Sequence, residues 1–399
     1  MGEFARRLAQ VSASATLKVA AEAERLRRAG HNVVDFSAGE PDFPTPEHVK
    51  AAGKSAIEAN FTRYTVSQGI PELREAVCAR YKRDYGIEVS PAEVLMTAGG
   101  KQALFNAALA LFEEGDEVIT HAPYWPTIPE QIKLAGATPV IVPTRSEEGF
   151  AIRAEGIIAA ITPRTKGIVL NSPCNPTGAL VGEGDVSAIA AAAARQGIWV
   201  IVDLCYEQLI YETTPHNLAR VLFDRHRDRT VLAGSASKSY AMTGWRCGWT
   251  IAPKTLTSAL NTIQGQSTSN ISSITQKAAV AAISGPQDAV AVMLNEYRER
   301  RDNIHAWLTS SPGIRCVRPN GAFYLFPDIS GLFTEKIRSS ADFAQALIEK
   351  ECVVVTPGEA FDAPGYLRIS YATSMEQIRE GATRMLRFAD SLQPARTGA

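Results

Sequence analysis

The stretch TVLAGSASKSYAMTGWRCGWTIA, residues 230–252, decides how this chain reads. Two apolar runs, TVLAGS and RCGWTIA, read as buried strands, and the turn between them carries Ser235, Ser237, Lys238 and Arg246. Taken alone, Lys238 reads as one more surface lysine, because lysine is seldom buried without a partner. Between two buried strands, in the company of serines and an arginine, it reads as functional.

Outward from this stretch, strand and helix patterns alternate. EVLMT leads through Ala98-Gly99-Gly100 into the helix KQALFNAALALF, and DEVIT, TPVIVP, KGIVLNSP and IWVIVD follow before TVLAGS. Continuous apolar strands separated by helices predict a mainly parallel α/β sheet buried between helix layers. Functional groups then belong at the carboxyl ends of the strands, where Asn171, Asp203, Ser235 and the Gly99-Gly100 turn stand. A long helical run from about Gln287 to Leu308 reads as a connector. Beyond it GAFYLF, CVVVTP and YLRIS, with two helices, predict a smaller α+β unit. Near the N-terminus, Ser14 or Thr16 reads as the cap of a helix that runs to about Arg28 and stops at Gly30. The last seven residues, QPARTGA, are expected to fray.

The strand-end residues suit one chemistry. A helix opening at Gly99-Gly100 offers free N–H groups and a positive dipole end to a phosphate. Hydroxyls of Ser235 and Ser237 add to it, and Arg246 can grip the same group bidentately. Asp203 reads either as a helix N-cap or as a carboxylate against a pyridine nitrogen. Tyr206 and Asn175 can reach a phenolic oxygen on such a ring, and Trp125 either stacks on it or packs in the core. With Lys238 to condense with an aldehyde, these elements describe a site for pyridoxal 5'-phosphate (PLP). Arg368, inside the apolar run YLRISYA, needs a partner: a substrate carboxylate or an internal salt bridge. Gly39, in the turn-rich AGEPDFPTP, allows the backbone to approach a ligand closely.

Composition narrows the class. With 399 residues, about two domains are expected. Hydrophobic content of 45%, charged content of 21% and a formal charge of -1 argue against a nucleic-acid or membrane-surface protein. No apolar stretch is long enough to span a bilayer. Six scattered cysteines without CxxC spacing favour reduced thiols and a cytoplasmic location, and the histidines form no metal-ligand pattern.

AGEPDF, GGKQALFN, PYW, NSPCNPTG, Asp203-x-x-Tyr206, SASKSYAMTGWR and YLRISYATS occur here in order, and together they resemble the class I/II aminotransferases of PLP fold type I. The likeness is closest to bacterial aspartate aminotransferases of the Iβ type and covers about Ser14 to Phe388. It implies a mainly parallel seven-stranded sheet in a large domain over residues 45–285. Residues 1–44 with 286–399 form the small domain and N-terminal arm on this reading. It makes Lys238 the cofactor-binding lysine, Asp203 the partner of the ring nitrogen, and Asn175 and Tyr206 ligands of the ring oxygen. Trp125 becomes the stacking ring, with Gly39, Asn175 and Arg368 at the substrate α-carboxylate. Tyr64 corresponds to a tyrosine that reaches the neighbouring subunit's phosphate, which implies a homodimer with shared active sites.

Against the family pattern, Leu204 replaces a common Glu, Cys174 a common Asn or small residue, and Cys205 an aliphatic. Leu204 and Cys174 are expected to flank the ring. For the substrate, the chain has no arginine between Cys247 and Tyr297. The resemblance offers Lys101 instead, with Thr16 and Ser14, as readers of a second carboxylate. A lysine at a helix N-terminus gains when an anion is present, unless it turns to solvent. Some relatives with this lysine also accept prephenate alongside a basic residue near position 12, where this chain has Ser12. The expected reaction is transamination between L-aspartate and 2-oxoglutarate. Aromatic or prephenate aminotransfer and a PLP-dependent lyase or synthase are the alternatives.

Overall fold

The computed structural model describes residues 4–12, 15–211 and 216–392. Seven strands form the central sheet: β1 (Val94–Thr97), β2 (Glu117–Ala122), β3 (Thr138–Pro143), β4 (Thr165–Asn171), β5 (Trp199–Asp203), β6 (Thr230–Ser235) and β7 (Gly248–Ile251). Their spatial order is β1-β7-β6-β5-β4-β2-β3. From β3 to β6 all neighbours run parallel, and β7 lies antiparallel between β6 and β1. All seven strands stand where the apolar runs placed them.

Alternation along each strand explains the continuous apolar runs. Ile168, Leu170, Val200, Val202 and Leu232 enter one core, whereas Val169, Ile201 and Val231 enter another on the opposite face. Successive side chains of a strand point to opposite faces, so a sheet covered on both sides needs no polar positions. Helix α1 (Gly100–Leu111) packs on the second face and begins where β1 ends.

After the long helix α2 (Asp288–Leu308) comes a second sheet of β8 (Tyr324–Leu325), β9 (Thr356–Pro357) and β10 (Leu367–Ser370), antiparallel in the order β9-β10-β8. CVVVTP divides its pairing. Thr356 and Pro357 join this sheet, whereas Val353 and Val354 pair in parallel with Val34 and Asp35. A separate core of Phe323, Tyr324, Phe343, Ile369 and Phe388 lies beneath it, together with Val34 and Phe36. The N-terminal helix spans Ala15–Arg28. Ser14, the side chain of Thr16 and QPARTGA lie outside the described residues. No helix among the described residues is long and apolar enough to cross a membrane.

Candidate active site

A cleft of about 540 Å³ opens at the carboxyl ends of β4, β5 and β6. Its walls include Gly39, Gly100, Lys101, Trp125, Asn175, Asp203, Tyr206, Ser235, Ser237, Lys238, Arg246 and Arg368. These residues are spread over more than three hundred positions of sequence, and the sheet gathers them at one rim. Gly99 stands beside the cleft, with φ +84, where a Cβ would meet Arg246 Nη2 at 2.6 Å. That approach explains a glycine at this place. Tyr64 does not line the cleft and is 91% exposed.

Asp203, the last residue of β5, is buried, and one of its carboxylate oxygens accepts from the Cys205 N–H at 3.0 Å. Burial raises its pKa to about 6. Lys238 lies in the short helix Ala236–Ser239, capped by Ser235, whose hydroxyl accepts from the Ser237 N–H at 3.1 Å. The Lys238 amine donates to the Gly39 carbonyl, and burial lowers its pKa. A lowered amine pKa means a larger fraction of the neutral, nucleophilic form. Ser235 Oγ donates to Ser237 Oγ at 2.8 Å. Arg246 spans the mouth of helix α1, donating to Thr243 O at 2.9 Å and to Ala98 O at 3.1 Å.

The turn after β5 is pinned from outside the cleft. Glu207 follows Tyr206 and is bound by the fully buried Arg80, whose Nη2 donates to Oε1 at 2.5 Å. Tyr85 donates its hydroxyl proton to the other oxygen at 2.7 Å. A buried ion pair of this kind is costly to break on one side only, so it holds the segment that carries Asp203 and Tyr206.

Arg368 is buried on β10 and no carboxylate forms an ion pair with it among the described residues. Its Nη1 donates to Asn175 Oδ1 at 3.2 Å, its Nη2 to Ser37 O at 2.8 Å, and its Nε finds no partner. Among the described residues, then, nothing supports the internal salt-bridge reading. Lys101 Nζ lies 5.1 Å from the centre of the Trp125 ring, and burial followed by the nearby Arg246 charge lowers its pKa. It faces the cleft wall.

Two expectations need correction. Leu204 is buried in the large core, and Cys174 packs with Phe150, Phe326 and Phe361, so neither lines the cleft. Cys205 does. The strand ends at Asp203 and a turn begins at Cys205, and this change of direction leaves Asp203 and Cys205 on the cleft and Leu204 in the core. Sequence reading missed Tyr324, Ser37 and His121. Tyr324 lines the cleft with its hydroxyl 2.8 Å from Tyr206 Oη. His121, buried on β2, accepts from the Asn171 N–H at 3.4 Å and is held neutral by burial, with a pKa of about 4. The aromatic pair in GAFYLF was the available signal for Tyr324.

A lysine and a buried aspartate at the carboxyl rim of a mainly parallel seven-stranded sheet define an enzyme of fold type I. The sequence model for "aminotransferase class I and II" matches residues 31–385, and this chain belongs to that family. It is 43% identical over 396 residues to the aspartate/prephenate aminotransferase of Cereibacter sphaeroides, covering 96% of this chain and 98% of the relative. To the aspartate aminotransferase of Geobacillus stearothermophilus it is 40% identical over 390 residues, covering 98% and 99%. The solved aspartate aminotransferase of Thermus thermophilus with maleate superposes with a TM-score of 0.92 at 40% identity, over 97% of this chain and 100% of that one.

Proposed function

We propose that the chain transfers the amino group of L-aspartate to 2-oxoglutarate with PLP as cofactor, giving oxaloacetate and L-glutamate. The observation that carries this reading is the convergence of Lys238, Asp203 and the carboxylate-free Arg368 on one cleft. The cleft suits the cofactor. Asp203 is a buried acid with no basic side chain in an ion pair with it among the described residues, which fits a pyridine nitrogen. Gly99-Gly100, Ser235, Ser237 and Arg246 suit the phosphate, Asn175 and Tyr206 the ring oxygen, Trp125 the ring face and Lys238 the aldehyde. When bound, PLP supplies an aldehyde that bonds amines and a ring that withdraws electrons.

The protein's own part then follows. Arg368, with Asn175 and the Gly39 backbone, binds the α-carboxylate and orients the Cα–H bond. Lys238 Nζ would accept the proton from Cα and return it at the cofactor's aldehyde carbon, C4', on the far side of the substrate nitrogen. Asp203 holds the ring nitrogen's proton in place.

Lys101, with Thr16 and Ser14, reads the second carboxylate. The maleate of the Thermus thermophilus structure is a four-carbon dicarboxylate like aspartate, which supports an acidic substrate. Relatives named for prephenate as well keep that second reading open, although Ser12 offers no basic group. A lysine–carboxylate contact in a partly dry site contributes roughly 1.5–3 kcal/mol. Lys101→Ala is therefore expected to lower kcat/KM for aspartate by about ten- to a hundredfold. The value for alanine should barely change, since alanine has no second carboxylate to lose. Steady-state kinetics with both substrates decide it, and equal losses would reassign Lys101 to the phosphate or the fold.

The same reading makes residues 45–285 the cofactor-binding domain and residues 1–44 with 286–399 the small domain, whose core also takes in Tyr206, Leu209 and Tyr211. It also makes the enzyme a cytoplasmic homodimer whose neighbour supplies Tyr64 to the phosphate. The support is a tyrosine 91% exposed next to Val66, itself 57% exposed. Sedimentation at micromolar protein is expected to show a dimer; a fully active monomer would end this part of the proposal.

A further inference from the structure

Tyr324 is fully buried yet faces the cleft. Its hydroxyl stands 2.8 Å from the Tyr206 hydroxyl, and a Cβ on Gly39 would meet it at 3.3 Å. Its ring lies under Arg368, whose guanidinium carbon is 4.6 Å from the ring centre. Register explains how one side chain touches so much. Tyr324 pairs with Ser370 across β8 and β10, and Arg368 is two residues from Ser370, so Tyr324 and Arg368 share a face of the sheet. A ring beneath a guanidinium attracts it through the quadrupole and fixes its plane.

A phenol has one proton to donate and lone pairs to accept. Where two hydroxyls face each other, either can donate. If Tyr324 donates to Tyr206, the Tyr206 proton is released to point elsewhere, and the open side is the cleft. Burial raises the pKa of both phenols, so both remain protonated and able to play these parts at neutral pH.

We propose that Tyr324 is a positioning residue that joins the two halves of the site. Its hydroxyl turns the Tyr206 proton toward the ring oxygen of the cofactor, and its ring seats Arg368 for the substrate α-carboxylate. This rests on the reading of Tyr206 as a cofactor ligand and of Arg368 as the carboxylate reader.

A double-mutant cycle tests the first half. PLP dissociation constants are measured by titrating the cofactor into cofactor-free wild type, Tyr324→Phe, Tyr206→Phe and the double variant. One intramolecular hydrogen bond contributes enough for a change of about two- to tenfold. Tyr324→Phe should weaken binding by that factor in the wild-type background and leave it unchanged in the Tyr206→Phe background. An equal effect in both backgrounds, or none in either while Tyr206→Phe itself weakens binding, overturns the hydroxyl role and leaves the Tyr206 reading intact. No weakening by Tyr206→Phe overturns that reading, and the hydroxyl role with it.

The second half is read in KM. Tyr324→Phe keeps the ring and should leave KM for alanine and aspartate near wild type, whereas Tyr324→Leu should raise both severalfold. Arg368→Ala is the control for Arg368 itself. If Arg368→Ala raises KM and Tyr324→Leu does not, the ring has no seating role; if Arg368→Ala leaves KM unchanged, the carboxylate reading fails as well. Thermal unfolding midpoints of all variants separate these effects from a loss of folding.

Discussion

Lys238→Ala is expected to abolish transamination while the protein stays folded. The amine is half-buried between two aromatic rings, 5.9 Å from the centre of Tyr206 and 5.8 Å from that of Phe323, and burial depresses its pKa. Among the described residues Lys101, packed against Trp125, is the other lysine that lines the cleft. The variant loses both the nucleophile for the cofactor's aldehyde and the base that moves the substrate's Cα proton. The second loss alone is worth about 10²–10⁴-fold, as for general acid–base groups elsewhere. Borohydride treatment of the wild-type holoenzyme, followed by peptide mapping, should place a pyridoxyl group on Lys238. Label on Lys101 instead, or a variant that keeps measurable turnover, would move the catalytic amine away from Lys238.

Asp203→Ala should cost several orders of magnitude in kcat with little change in the unfolding midpoint. Asp203 is an acid whose pKa burial has lifted to about 6, so its ionised form is poorly stabilised by the protein alone. A positively charged group placed against it would restore that stabilisation and, by the same coupling, keep its own proton. A protonated ring nitrogen is such a group, and removing the carboxylate lets that proton go. The sign of the pH effect follows. In the cofactor-free chain the carboxyl takes up a proton as pH falls through about 6, so PLP affinity for the apo protein should decline below that pH. In the Asp203→Ala chain the decline should be smaller, since only the cofactor's phosphate, with its second pKa of about 6, still titrates in this range. If the variant retains more than about one tenth of wild-type kcat, a loss of only ~1.4 kcal/mol, some other group serves the ring nitrogen.

Reading from sequence reached far for this protein because buried parallel strands announce themselves. Each of the seven apolar runs is bounded by turn residues, and residues at their carboxyl ends converge by topology without knowledge of any side-chain position. Asp203, Ser235 and Lys238 were legible for that reason. The small sheet was less so. GAFYLF contributes only Tyr324 and Leu325 to a strand, and Ala322, two residues before Tyr324, has φ +59, outside the extended region. CVVVTP serves two different sheets, a division that depends on which distant partner lies alongside and not on local pattern.

By itself, then, the order of residues determined the alternation of strands and helices, the sheet they build, and the set of polar groups at its rim. Tertiary structure decided what those groups face. It showed Arg368 buried with no acidic partner among the described residues, turned Leu204 into the core and Cys205 into the cleft, and set Tyr324 between Tyr206 and Arg368. The reason is physical. Period and propensity act over a few residues, whereas an ion pair, a ring under a guanidinium or a shared hydroxyl proton depends on distances between residues from several tens to more than a hundred positions apart, which only packing sets.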